Sequence, residues 1–127
     1  ISDFIESIQL SLDDMKSFSN QGQTRGMTNI LIDKLNNLDI FHRPVHCSDV
    51  RKEIIYVKDE DKWEKENKER PKLKHALDGL TKKSIQALPE FKSDPDEYVK
   101  TVSEVLKEPR EDKKIISDVA KEMLVTS

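Results

Sequence analysis

The chain has 127 residues, of which 35% are apolar and 37% charged, with a formal charge of -3. That length suits one compact domain with a thin core, and the acidic balance argues against wrapping nucleic acid through a broad basic surface, because phosphate contacts need a local excess of Lys and Arg. A single cysteine excludes an internal disulfide framework and a cysteine-rich zinc finger built from these residues alone. No apolar run approaches the ~20 residues of a membrane helix.

The chain opens on Ile1 rather than Met, which reads as a processed chain or a fragment with further domains upstream. Its amino end lacks the basic-then-apolar order of a signal peptide, so a soluble, intracellular protein is expected. The middle carries many Lys and Arg residues, but Asp and Glu alternate with them nearly one for one, which reads as a solvated surface rather than a polyanion patch.

In chain order, Ile1, Phe4, Ile5, Ile8, Leu12 and Met15 lie at helical spacing, with Asp3 and Glu6 as a capping box, and predict a helix over about 3–18. Gly22 and Gly26 break it, and Met27, Ile30, Leu31, Ile32, Leu35 and Leu38 give a second helix over about 25–38. The two form either an antiparallel pair or, in the rival reading, a long first helix that meets copies of itself. Phe4, Ile8, Leu12 and Met15 are then the candidate contact with a second copy.

After Asp39 the helical period is lost. Pro44 pushes Arg43 toward extended geometry, and Val45, His46 and Cys47 suit a short strand. Ile54, Ile55, Tyr56 and Val57 are the strongest strand signal in the chain. Turn formers from Ser48 to Lys52 join these into a two-stranded antiparallel hairpin at about 44–58. Asp61 and Glu64 resemble another capping box, predicting a charged helix over about 61–69 with Trp63 on its first turn.

Pro71 opens a helix over about 71–88 carrying Leu73, Leu77, Leu80, Ile85 and Leu88. Asp94-Pro95-Asp96-Glu97 is a clear start for a helix over about 95–107. Beyond Pro109, Ile115, Ile116, Val119, Met123 and Leu124 predict a last helix over about 110–125, with Glu111 and Asp112 favouring its dipole. The expected fold is mainly α, a single domain of five to six helices with one small two-stranded antiparallel hairpin.

His42, His46, Cys47 and Asp49 are all able to ligate zinc. Pro44 opposes the helix that would align His42 with His46, and in a strand His46 and Cys47 point to opposite faces. A Cys-His nucleophile meets the same obstacle, and no nucleophile elbow, phosphate-binding glycine loop or zinc-protease motif is present. No catalytic residue, metal or cofactor is expected, which leaves an enzyme the weakest of the three function classes.

A basic-tipped hairpin after helices also matches the plan of a winged DNA-binding module, with Arg43, Arg51 and Lys52 as its contacts. No helix carries the cluster of Arg, Asn and Gln that reads bases, so this stands as the alternative. The first reading is a protein-interaction or self-assembly module, a homo-oligomer or a recruiter of another protein. Pro44, His46, Cys47, Asp49, Tyr56 and Trp63 form its structural motif.

The segments R-P-V-H-C-S-D at Arg43 to Asp49 and I-Y-V-K-D at Ile55 to Asp59, followed by Trp63, resemble the carboxyl-terminal domain of uncharacterised proteins of nucleocytoplasmic large DNA viruses. The resemblance covers the middle of the chain. It implies a DNA-associated or zinc-finger-like domain upstream, another viral protein as partner, and the host nucleus or a cytoplasmic viral factory as location. It transfers no catalytic residue; Lys58 and Asp59 match its motif along with the positions above, without roles.

Overall fold

The computed structural model describes residues 1–92 and 94–125. Its first helix, α1 (Ser2–Ser7), is short: the Ser7 hydroxyl donates to the Phe4 carbonyl, and Ile8 turns extended. A second helix, α2 (Leu12–Gln21), begins afresh at Ser11. Ser11 and Asp14 exchange side-chain and backbone hydrogen bonds at 3.1 and 2.9 Å, a reciprocal cap that satisfies two otherwise orphaned N–H groups. The predicted continuous helix over 3–18 is therefore two helices, and the capping box lies at Ser11 and Asp14 rather than Asp3 and Glu6.

Gly22 alone separates α2 from α3 (Gln23–Asn36), ending one and starting the other at φ 84°. This backbone is left-handed in φ, which glycine adopts without a Cβ clash. Gly26 lies within α3, where a Cβ would stand 3.2 Å from the Ser17 carbonyl oxygen of α2. The second predicted breaker is thus a point of close helix approach.

Residues Ile40–His42 make one 3-10 turn. Three strands follow, β1 (Val45–Asp49), β2 (Ile54–Asp59) and β3 (Lys62–Lys65), antiparallel in the order β1-β2-β3. The expected two-stranded hairpin and the helix over 61–69 are both overturned by β3. Glu60 and Asp61 adopt φ of 51° and 63° and reverse the chain in two residues, so Asp61 is a turn residue and not a helix cap. Trp63 accordingly lies on a strand, opposite Lys58.

Helix α4 (Pro71–Ala87) starts behind the left-handed Arg70. The Arg70 guanidinium donates to the carbonyls of Glu66, Asn67 and Glu53, and Glu66, itself buried, accepts from the Lys72 N–H at 3.1 Å. A carboxylate there offsets the positive end of α4. A 3-10 turn at Leu88–Phe91 leads to α5 (Pro95–Val105), whose Asp94 side chain accepts from the N–H groups of Asp96 and Glu97. The last helix, α6 (Asp112–Glu122), is followed by a segment that pairs in parallel with β1 through Cys47, so the predicted run to 125 ends three residues early.

Inward residues of the sheet, Val45, Cys47, Ile55 and Val57, are at most 2% exposed and join Met27, Leu35, Leu77, Ile115 and Met123 in one buried cluster. The period of two along β1 and β2 sends every second side chain to the helices and leaves the others outside. Among the described residues no helix is long and apolar enough to cross a membrane.

Candidate outer-face binding site on the sheet

The outward positions bring together His46 from β1, Tyr56 and Lys58 from β2, and Trp63 and Lys65 from β3. The register fixes this set: His46 opposes Tyr56, Tyr56 opposes Lys65, and Lys58 opposes Trp63. Imidazole and indole stack with centroids 4.5 Å apart and planes 25° apart. Tyr56 and Trp63 keep 37% and 41% of their surface exposed, and the rings border a shallow open hollow completed by Ser48 and Val125.

His46 is oriented by its own hydrogen bond. Its Nε2 lies 3.2 Å from the Ile40 carbonyl, which can only accept, so this nitrogen carries the proton. The same 3-10 turn leaves Phe41 84% exposed, the largest exposure of any aromatic residue here. Isolated exposed apolar side chains are ordinary; a cluster of oriented rings is the informative case.

Asp59 accepts from the Ser2 N–H and Glu64 pairs with Lys72 of α4 at 3.0 Å, both away from the outer face. Lys58 and Lys65 have no carboxylate within ion-pair distance among the described residues. By register the outer face carries aromatic surface with Lys58 and Lys65 on the same side, and Lys58 also borders a second hollow with Asp3, Glu60 and Asp61.

The sequence-derived candidates disperse. Met15 and Ile8 are 1% and 6% exposed, taken up by the chain's own core, and Phe4 packs against that core, while Leu12 stays 44% exposed. A second copy has no access to the first-helix stripe as a whole. Arg43 donates from Nε to the Leu35 and Leu38 carbonyls at 3.0 and 3.1 Å, capping the end of α3, whereas Arg51 and Lys52 are exposed at the β1–β2 turn. Pro44 is buried at the head of β1, and Asp49 accepts from the Lys52 N–H at 3.0 Å within that turn.

Cys47 is fully buried on the face opposite His46, its N–H donating to Met123 and its carbonyl accepting from Val125, both at 2.9 Å. Burial holds its thiol pKa above the ordinary value of 9.0, despite a hydrogen bond from the Asp49 backbone in the other sense. A buried thiol of raised pKa is a poor nucleophile. Sequence reasoning grouped His46, Tyr56 and Trp63 in one motif but missed Lys65 and the stack. The missing signal was Glu60-Asp61 as a two-residue turn, which would have paired Lys62–Lys65 with β2.

Comparison with protein-family models, with curated proteins and with solved structures finds no match to this chain.

Proposed function

We propose that this chain is a protein-interaction module whose working surface is the outer sheet face centred on Trp63. The observation that carries this reading is the His46–Trp63 stack, held at the surface beside Tyr56. Trp and Tyr dominate the energetics of protein interfaces because each supplies large apolar area with few rotatable bonds. A stack anchored by the Ile40 carbonyl is already ordered before a partner arrives, which lowers the entropic cost of binding.

Lys58 and Lys65 favour an anionic partner, so acidic segments are the preferred polypeptide. The resemblance to large-DNA-virus proteins would make that partner another viral protein.

Single-stranded nucleic acid is the second reading, favoured by rings beside lysines. Magnitude decides between them. Two lysines neutralise about two phosphates, giving a log-log salt slope of only about -1.4 for a single strand. One side of the Trp63 indole is also occupied by His46, leaving less surface for bases. For a duplex reader, Arg43 is already engaged at the end of α3.

The test is selection from a random-peptide display library on the wild-type chain and on Trp63→Ala in parallel. Peptides rich in Asp and Glu, retained by the wild type and lost on the variant, are expected. Failure to enrich any sequence, or enrichment unchanged by Trp63→Ala, contradicts the proposal. Tighter retention of oligothymidylate than of any selected peptide would favour the second reading.

A further inference from the structure

We infer that the free edge of β3 takes its partner as a fourth strand, an extended acidic peptide hydrogen-bonded to the main chain of Trp63 and Lys65. The inference rests on the outer sheet face being the working surface and adds how a polypeptide is held beside it.

The phase of hydrogen bonding across the sheet identifies the free groups. Lys58 donates its N–H to the Pro44 carbonyl on the β1 side, and Ile55 accepts from the Glu66 N–H on the β3 side, both at 2.8 Å. Alternation along β2 therefore turns the main-chain groups of Val57 and Asp59, like those of Ile55, toward β3, where they oppose Glu64 and Lys62. Trp63 and Lys65, opposite Lys58 and Tyr56, are in the other phase, with N–H and C=O directed away from the sheet. No strand lies beyond β3, and all its residues are exposed. Among the described residues no main-chain bond reaches Trp63 or Lys65 from elsewhere in the chain.

The opposite edge is already covered. Cys47 carries the outward groups of β1, and these are engaged by the chain's own Met123 carbonyl and Val125 N–H. An uncovered edge is a template for another strand. Strand addition there gains affinity from main-chain bonds, while the flanking side chains select the sequence.

Charge identifies the occupant. Lys62 and Lys65 have no carboxylate within ion-pair distance among the described residues, and Glu64 between them is held by Lys72 at 3.0 Å. A second copy fits this edge poorly. An antiparallel pair joining Trp63 to Lys65 of the other copy sets Glu64 against Glu64, and one centred on Lys65 sets lysine against lysine. Like charges directly opposite destabilise a sheet. An acidic peptide meets neither obstacle. In antiparallel addition, its residue opposite Trp63 lies on the outer face against the indole. A carboxylate two positions earlier meets Lys65, and one on the next position meets Lys62, so the edge reads acid, any residue, apolar, acid.

The probe is the end-capped hexapeptide Thr-Glu-Thr-Val-Glu-Thr, titrated into isotopically labelled chain and followed by amide resonances. A contact this small half-saturates on the order of 1 mM, so the titration runs to several millimolar. Exchange of the Trp63 and Lys65 amides with water should slow severalfold. Methylating the peptide's Val nitrogen, which faces β3, should weaken binding at least tenfold, whereas methylating the following Glu nitrogen, which faces solvent, should leave it within twofold. Binding that moves the Trp63 indole resonance but leaves the two amides exchanging as before overturns strand addition and leaves the interaction module standing. Equal loss from the two methylated peptides, or no binding at several millimolar, overturns it as well, and the display selection then decides the module separately. Protection of the two amides that grows with protein concentration in the absence of peptide would assign the edge to a second copy and also overturn the inference.

Discussion

The imidazole of His46 and the indole of Trp63 stack 4.5 Å apart although the strands that carry them are not neighbours. With adjacent strands about 4.8 Å apart, β1 and β3 are separated by about 10 Å, so the indole reaches across β2 to meet the ring. The stack ties the edge strand to the far side of the sheet. A double-mutant cycle with His46→Ala and Trp63→Ala, read by urea unfolding, should give a coupling of about 0.5–1.5 kcal/mol. Strictly additive losses would show that the rings stand together without stabilising each other.

Glu60 and Asp61 occupy a turn that asks for left-handed backbone at both positions. Asn-Gly meets that demand without the steric cost carried by the native pair. Glu60→Asn with Asp61→Gly should therefore stabilise the chain by about 0.5–1 kcal/mol. The unfolding midpoint in urea should rise with an unchanged slope, and a lower midpoint would contradict the turn geometry.

Gly26→Ala sets two effects against each other. Helix propensity alone favours Ala by about 1 kcal/mol. The new Cβ would lie 3.2 Å from the Ser17 oxygen and 3.3 Å from the Phe18 nitrogen, both backbone atoms that move only with α2. Overpacking costs about 1–3 kcal/mol, so the variant should be less stable by up to about 2 kcal/mol. Thermal unfolding checks the sign.

Cys47 links burial to alkaline stability. Its thiol pKa is raised in the fold, so the unfolded chain releases the proton first as pH climbs past 9.0. The contribution is fully present below pH 9.0 and declines as pH rises from there through the folded pKa. Comparing unfolding free energies across that window, the wild type should fall more steeply than Cys47→Val. Equal slopes would mean that the thiol titrates alike in both states. Alkylation by iodoacetamide at neutral pH should likewise be slow until the chain is unfolded.

Local chemistry that announces itself in adjacent residues was legible in the sequence. Asp94-Pro95-Asp96-Glu97 reads as a helix start because cap, proline and acids are contiguous, and Ile54 to Val57 read as a strand by composition. The third strand was hidden because Lys62-Trp63-Glu64-Lys65 has a single apolar residue and follows a turn without glycine or asparagine. Periodicity also joined α1 to α2, since Ile8 continues the apolar spacing while its backbone leaves the helix.

The site was legible as a group of residues and not as a face. His46 and Trp63 are 17 positions apart, and only the register through β2 makes them touch. The first-helix contact surface failed for a related reason: spacing shows which residues share a side but not whether the core already claims it. Ile8 and Met15 are claimed, and of the four candidates only Leu12 stays substantially exposed.

The most direct measurement of the central claim is the emission of Trp63, the only tryptophan in the chain, during titration with an acidic peptide enriched by the wild type. Binding over the outer sheet face should produce a saturable blue shift as water leaves the half-exposed indole, and Lys58→Glu with Lys65→Glu should weaken it at least tenfold. Binding shown by calorimetry that leaves Trp63 emission unchanged would place the partner elsewhere and contradict the account.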